Sequence, residues 1–511
     1  MTPINSNTSA TESNSRQDDI PNPILPDSMG SYDPRASITS NADASNSPSP
    51  ATKPQRALAP DLLRGLLMVF MAWDHNTVAL NSWPHATSGN EAEADSVVVK
   101  NWAWWFAYVL RTLAHLCAPG FTFLLGMGVV YFGRSRAKLG WSSVRMARHF
   151  AVRAALLTLV SSAMGLILTM QYWIFNIPLV ALAVDYFVVG LLAIGIAYTE
   201  PALASVFDRF VVGDDAERTP LLEHPNGQTP SATKPSHKAD RLSWHIHNFL
   251  ILVLSFVTIW WNHWLSPTHG TCGIPAPTPT ASDFWRFWFY AVFNPHVLSP
   301  FPPLGWLSFA ILGVLYARIM IANPAATRKQ VYGHVTIGLV FSLLFILTRL
   351  FHFGNLSEGC LQTPDQAAHP DTNPYLVSIA SFFYVVKYPP DFAFFCFTLA
   401  GTFFLLALFT AIPPDFSTKW FKALLIFGTA ALFYFVVHIL VIMVVGRLLV
   451  NLFGHDTGRG SPLDGEVAMG VDNLWIWCLN LAVGLTVMYL SCKRFSVFKM
   501  SKSADSAWRF F

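Results

Sequence analysis

The sequence predicts an all-α, polytopic transmembrane helical bundle of about ten spans with both termini cytoplasmic, and three observations carry that expectation. Of the 511 residues, 53% are hydrophobic and only 12% charged, whereas a water-soluble domain carries roughly 25% charge. Apolar stretches of about 20 residues recur from Leu62 to Leu490, each long enough to cross a hydrocarbon core of about 30 Å at about 1.5 Å per residue. The 33 Lys and Arg residues alternate between rich and poor connections along the chain.

The spans are expected at 62–80, 102–132, 150–170, 175–198, 244–265, 304–321, 331–351, 392–412, 424–445 and 474–490. The second stretch exceeds one crossing. There Ala118-Pro119-Gly120 is expected to divide an interfacial aromatic segment, 102–116, from the span proper, because Pro removes a rung of the hydrogen-bond ladder and Gly loosens it. An even number of crossings puts both termini on one side. That side holds 26 Lys and Arg residues and the other five (Lys100, Arg286, Lys387, Arg447 and Arg459), while Arg111 and Arg349 lie in or near apolar segments. By the positive-inside rule the rich side is cytoplasmic. A single span too many would scramble the split.

Residues 1–55 are rich in Ser, Asn, Pro, Thr and Asp, bury too little apolar surface to offset the entropy of ordering, and contain no apolar core of a cleaved signal peptide. The expected organisation is therefore a disordered cytoplasmic tail, 1–55; the first membrane helices, 56–198; a disordered cytoplasmic loop, 199–243; the remaining helices, 244–491; and a cytoplasmic tail, 492–511. Cys272 and Cys360 both fall on the non-cytoplasmic side, where oxidation to a disulfide is permitted; two free thiols in separate loops are the alternative, since spacing cannot fix connectivity. Glu217-Arg218-Thr219-Pro220-Leu221-Leu222 matches an acidic dileucine signal for a vacuolar or lysosome-like membrane. Such short patterns also arise by chance, which leaves the plasma membrane and endoplasmic reticulum open.

The most informative stretch is Asp61 to His75. Arg64 and His75 are eleven residues apart, so they share one helical stripe and stand about 16 Å apart along the axis. An acidic residue such as Asp74 inside a span costs about 2.5–3.5 kcal/mol on insertion scales, and ionisable groups at such depth face polar cavities and mark function. His75 can exchange a proton near neutral pH. Adjacent helical residues diverge by about 100°, so Asp74 does not orient His75 and another helix must supply that partner. The bland alternative is that Asp74-His75-Asn76 only ends the helix at the interface. Arg111 and His115 lie one turn apart on a shared face; they line the same cavity, with Arg111 stabilising an oxyanion, or belong to an interfacial helix with a snorkelling Arg. Lys387, Arg349 and His438 lie towards the non-cytoplasmic ends of their segments. Each is a substrate-site candidate with a packing or anchoring alternative. The Trp residues near expected interfaces read as anchors. The His and Cys spacings match no zinc motif, so no metal is expected.

The run Asp-x-x-Arg-Gly, then apolar residues, then His resembles the first helix of the transmembrane acyltransferases, in which ten residues separate an Arg and a His, as they separate Arg64 and His75. The chain resembles in particular the bacterial and fungal membrane family related to the catalytic domain of heparan-alpha-glucosaminide N-acetyltransferase. Besides Asp61 to His75, the similar segments are Arg111 to Phe121 with Gly126, Pro303 to Trp306 with Gly313, Phe383 to Pro390, and Phe433 to His438, in the family's order.

The resemblance implies transfer of an acyl group, usually acetyl, from cytosolic acyl-CoA to a hydroxyl or amine acceptor on the far side. His75, Asp74, Arg111 and His115 are then the catalytic candidates, with His75 as general base or acylated nucleophile. Arg64, Asp61, Arg349, Lys387 and His438 are the substrate- or CoA-binding candidates. Arg64 with Arg134, Arg136, Arg145 or Arg148 would hold the CoA phosphates. Acetyl-CoA or another acyl-CoA enters as co-substrate, with no bound cofactor. The expected partners are the bilayer, acyl-CoA and a glycan, lipid or small-molecule acceptor, with a homodimer left open and no nucleic acid. The competing readings are a proton- or anion-coupled transporter built on Asp74, His75 and Arg349, and a non-catalytic relative of the acyltransferases.

Overall fold

The apolar runs are helices in the computed structural model, which describes residues 58–84, 93–215, 236–273, 282–460, 467–502 and 508. In chain order they are α1 (Leu58–Leu80), α2 (Trp105–Ala114), α3 (Cys117–Lys138), α4 (Ser143–Thr169), α5 (Leu179–Asp215), α6 (His237–Leu265), α7 (Asp283–Phe289), α8 (Leu307–Ala322), α9 (Thr327–Leu350), α10 (Pro364–Ala368), α11 (Ile379–Phe383), α12 (Phe392–Ala411), α13 (Pro414–Trp420), α14 (Lys422–Thr429), α15 (Ala431–Phe453) and α16 (Leu474–Met500). Side-chain caps start several of them. Ser142, Ser236, Asp391 and Asn473 accept backbone N–H groups of the first turns of α4, α6, α12 and α16, which are unpaired at any helix start. Among the described residues eight helices are long and apolar enough to cross a membrane, α2 and α3 together forming one of them. Two further apolar helices stand apart from these eight: α8, with 16 residues, and α1, which carries Asp61, Arg64 and Asp74.

Four boundaries differ from the sequence expectation, each for a physical reason. The break between α2 and α3 falls at His115 and Leu116, and Pro119 sits in the first turn of α3, where its missing N–H leaves no bond unmade. The stretch 424–445 is two helices, interrupted at Ala430. The loop expected to be disordered over 199–243 is helical as far as Asp215 and again from His237. Hydropathy detects the lipid-facing part of a helix, but here polar contacts carry the helices further. Arg318 pairs with Glu200 and donates to Asn248 at 2.9 Å, Ser243 Oγ donates to the Glu200 carbonyl at 2.7 Å, and Asp208 accepts the Ser236 N–H at 2.8 Å. Likewise α16 runs to Met500, into the segment expected as a tail. The tail 1–55 and the dileucine motif at Glu217 to Leu222 lie outside the described residues.

Helix α1 is central, lying against α2, α3, α12, α14, α15 and α16, while α8 packs on α3, α5 and α6, and α9 on α12. Every residue of α8 from Leu307 to Ala317 is buried, as expected of a helix apolar on all sides. Two reciprocal glycine contacts set the closest crossings. A Cβ on Gly126 of α3 would lie 2.0 Å from the Ala310 carbonyl oxygen, and one on Gly313 of α8 would lie 2.1 Å from that of Phe123. Gly65 of α1 and Gly428 of α14 stand in the same relation to Leu424 and Asp61. Small residues let membrane helices approach backbone to backbone.

One end of the bundle carries a cap woven from alternate connections. β1 (Ile174–Phe175), β3 (Val297–Ser299) and β2 (Val292–Asn294) form a sheet in the order β1-β3-β2, and β4 (His455–Gly460) pairs with β5 (Val467–Gly470). Bridges join Val99 to Leu361 and Ala94 to Tyr388. Cys272 is disulfide-bonded to Cys360 with Cα atoms 5.1 Å apart, and the Val471 N–H donates to the Leu80 carbonyl at 2.9 Å.

The α3–α8 crossing gives a direct expectation. Gly126→Leu should lower the thermal midpoint in detergent sharply, since overpacking costs typically about 1–3 kcal/mol and here the obstacle is backbone. Gly128→Leu, whose added carbon meets nothing within 4 Å, should melt near wild type. Equal midpoints for the two variants would refute the crossing.

Candidate active site

Asn76 fixes the rotation of α1 in its C-terminal half. Its amide donates to the Trp477 carbonyl at 2.9 Å and its oxygen accepts from Asn480 at 2.7 Å, while the Trp477 indole donates to Thr77 at 3.1 Å. With that face held against α16, Asp74 and His75 point to different neighbours. The Asp74 carboxylate accepts from Arg111 of α2, at 3.1 and 3.2 Å. The His75 ring meets His438 of α15, Nδ1 to Nε2, at 2.8 Å. His438 is the partner from another helix that the geometry of α1 demands.

The types of partner fix the tautomers of this pair. His438 Nδ1 lies 2.9 Å from the Tyr434 carbonyl oxygen, which only accepts, so that nitrogen carries the proton and Nε2 offers its lone pair. His75 Nδ1–H therefore donates to His438 Nε2. In the neutral pair the unprotonated nitrogen of His75 is then Nε2, the form a general base requires. His438 is fully buried and His75 only partly so.

Beside the pair lies an ionic cluster whose anchor the sequence reading missed. Glu93, 1% exposed, accepts from Arg111 Nε at 3.1 Å and Nη2 at 3.0 Å, and its carboxylate lies 3.6 Å from His115 Nε2. Arg111 thus bridges two carboxylates, with all three of its nitrogens engaged, and is 4% exposed. Burial alone would raise the Glu93 carboxyl, but the adjacent Arg111 and His115 outweigh it and hold it well below the ordinary carboxylate range. The Glu93 carbonyl accepts the Lys387 N–H at 2.9 Å, and the Asp95 N–H donates to the Tyr388 carbonyl at 3.1 Å. Buried Lys387 places its ammonium 5.5 Å from the Phe301 ring centre and 5.2 Å from that of Tyr388. No periodic pattern marks Glu93; it precedes an irregular segment, and only the demand of Arg111 for a second anion hints at it.

The structure thus gathers Asp74, Arg111, His115 and the Lys387 segment around Glu93, with His75 and His438 alongside. Arg64 and Asp61 lie at the opposite end of α1, paired at 2.9 Å, with Arg64 also donating to the Gly428 carbonyl at 3.2 Å. Of the cations expected to join Arg64, Arg134 and Arg136 lie on α3, which packs on α1, and Arg145 and Arg148 on α4, which packs on α5. Arg349 is separate too. It is fully buried between the Phe345 and Tyr375 rings, 4.8 and 4.5 Å from their centres, and its N–H groups have no hydrogen bond among the described residues. Near it Asp391 caps α12, accepting from Phe394 N at 2.6 Å and Leu356 N at 3.1 Å. Burial pushes the Asp391 carboxyl up to about 6, against the pull of Arg349 and these N–H groups. A second carboxyl that the sequence reading passed over, Asp185 of α5, is fully buried, and neither oxygen has a partner among the described residues.

No protein-family model matches the chain, and no curated protein matches it.

Two outcomes are expected from this geometry. Glu93→Gln removes one of the two carboxylates that hold Arg111, leaving Asp74 as its counter-charge, and should destabilise by about 1.5–3 kcal/mol, the worth of hydrogen bonds to a charged group, read as a lower thermal midpoint. Asp391 titrates from 3.8 when unfolded to about 6 when folded. A raised carboxyl stabilises the native state below the unfolded value and loses that contribution as pH rises through the folded one. Wild type should therefore lose up to ~3 kcal/mol relative to Asp391→Asn, which keeps the cap, between pH 4 and pH 7. A pH-independent difference would refute the assignment.

Proposed function

We propose that the chain is an integral membrane acyltransferase that moves an acyl group, acetyl foremost, from acyl-CoA to a hydroxyl or amine acceptor, with His75 as general base. The observation that carries this reading is the directed hydrogen bond from His75 to His438, 2.8 Å long and held in one tautomer by the Tyr434 carbonyl, beside a buried cluster of charge. In the proposed reaction the acceptor O–H or N–H gives its proton to His75 Nε2 while its oxygen or nitrogen attacks the thioester carbonyl carbon. The C–S bond then breaks, and the departing thiolate takes the proton back from Nε2, so the enzyme ends as it began. Arg111, engaged by two carboxylates, acts in this scheme as organiser of the site rather than as an oxyanion donor. Lys387, whose ammonium has aromatic neighbours, is the cation assigned to the acyl oxygen.

The proposal includes ten crossings, α1 and α8 among them, with the cation-rich connections and both termini in the cytoplasm. The cap supports this count: the five connections hydrogen-bonded or disulfide-linked there alternate along the chain with the cation-rich ones. Arg64 would then stand at the cytoplasmic end of α1, where the phosphates of acyl-CoA approach. A second reading, proton-coupled transport, is favoured by Asp185, since an unpartnered carboxyl in a membrane helix is a common proton carrier.

Purified protein in nanodiscs, given labelled acetyl-CoA and a panel of alcohols and amines, should release CoA and label an acceptor. His75→Gln should slow transfer by roughly 10²–10⁴-fold, the range of general-base catalysis. His438→Phe should also slow transfer and shift the pH profile, because the His75 tautomer is no longer fixed. Undiminished transfer by His75→Gln would refute the assignment. Proton-coupled uptake abolished by Asp185→Asn, without CoA turnover, would establish the second reading instead.

A further inference from the structure

Between Asp95 and Asp185 the chain has no acidic residue, yet this stretch carries Arg134, Arg136, Lys138, Arg145 and Arg148 around the corner from α3 to α4. The short turn at 139–142 folds that corner tightly, with Gly140 at φ +72°, a left-handed position that suits glycine. Ser142 caps α4 by accepting the Arg145 N–H at 3.3 Å. The cations do more than sit on one side of the membrane. The Arg145 guanidinium carbon lies 4.2 Å from the Trp141 ring centre, and that of Arg136 lies 4.9 Å from the same ring and 5.2 Å from Phe132. Two guanidinium groups are thereby gathered on one indole.

Among the described residues none of these five cations has an ion pair. On the neighbouring helix α5, Glu200 is paired with Arg318 and Asp208 caps the N–H of Ser236. The surroundings of the corner are apolar and outward-facing. Leu139 is 64% and Val144 79% exposed, and α4 continues away from the corner as an exposed apolar face at Val152, Leu159 and Ile167. A helix with that face contacts lipid along its length, which sets the cationic corner at headgroup depth.

We propose that the α3–α4 corner is a binding site for the phosphate headgroup of an anionic phospholipid in the adjoining leaflet. The lipid phosphate is held in the fork of Arg136 and Arg145, Trp141 keeps the two guanidinium groups side by side, and Leu139 and Val144 enter the acyl region beside it. Basic pockets at the cytoplasmic ends of membrane helices recognise such headgroups through charge-assisted hydrogen bonds. A soluble nucleotide phosphate offers the same charge but leaves the two exposed apolar side chains in water, and the observations favour the lipid for that reason. The inference does not depend on the acyltransferase reading.

The test uses the full chain in nanodiscs of phosphatidylcholine alone or mixed with phosphatidylserine or phosphatidylinositol bisphosphate, with bound lipid counted by native mass spectrometry. Wild type should retain the anionic lipid. Arg145→Gln/Arg148→Gln, both on exposed positions that leave the core untouched, should reduce retention roughly tenfold or more. Trp141→Ala, which keeps every charge but removes the platform, should also reduce it. Arg328→Gln/Lys329→Gln, on another connection, should leave it unchanged. Retention by the Arg145/Arg148 variant at the wild-type level overturns the proposal. So does an equal loss in the Arg328/Lys329 variant, which would mean diffuse surface attraction, and so does displacement of the lipid by free CoA, which would assign the corner to a nucleotide.

Discussion

The bridge made by Arg111 between Glu93 and Asp74 is the constraint on which the arrangement of the candidate site rests. A guanidinium that is 4% exposed is costly to leave without counter-charges in a low-dielectric interior, and its two carboxylates come from separate segments of the chain. One is on α1 and the other on the connection that follows it. Satisfying Arg111 therefore fixes α1 against α2 and pulls residues 93–100 over both. Once Glu93 is in place its backbone holds Lys387 and Tyr388, and Val99 holds the disulfide-bonded loop at Cys360. The cap is ordered from the ion cluster outward.

The same register decides what His75 meets. Asp74 and His75 are neighbours in sequence and diverge by about 100° around the helix, so turning Asp74 towards α2 turns His75 towards α15. The glycine contact of Gly65 with Gly428 brings α14 within backbone distance of α1, and the interruption at Ala430 lets α15 leave at the angle that places His438 against His75. Bulk at either glycine would separate the helices that carry the two imidazoles, even though neither glycine touches them.

Much of this was legible in the sequence, and what was not divides by cause. The helix positions followed from hydropathy because lipid contact leaves a composition record. The ends did not, because Asp215 and Met500 lie on helices that continue past their apolar stretches, where polar bonds such as those of Glu200 and Ser243 replace apolar burial. The stripe of Arg64 and His75, and the need for a partner to His75 from another helix, followed from helical geometry alone. That the partner is His438 did not, since a buried histidine on an apolar helix reads equally as packing. Glu93 and Asp185 were invisible for opposite reasons: one lies in an irregular segment with no periodicity, and the other is a single carboxyl in an apolar run with no nearby charge to draw attention to it.

A histidine next to a carboxylate invites the view that the carboxylate tunes it, and the geometry argues otherwise. The Asp74 carboxylate turns to Arg111, at 3.1 and 3.2 Å, and not to the His75 ring. The tuning group is His438, and a neutral imidazole acts differently from an anion. It adds no charge beside His75, and in the neutral pair the Nδ1 proton is directed at a lone pair. In the proposed transfer His75 gains a second proton at Nε2, and the existing bond from Nδ1 to His438 becomes one from a cation, which is shorter and roughly twice as strong as its neutral form. The stabilisation therefore grows with the charge that develops in the reaction and is small before it, the condition that binding energy must meet to raise a rate instead of only tightening a complex.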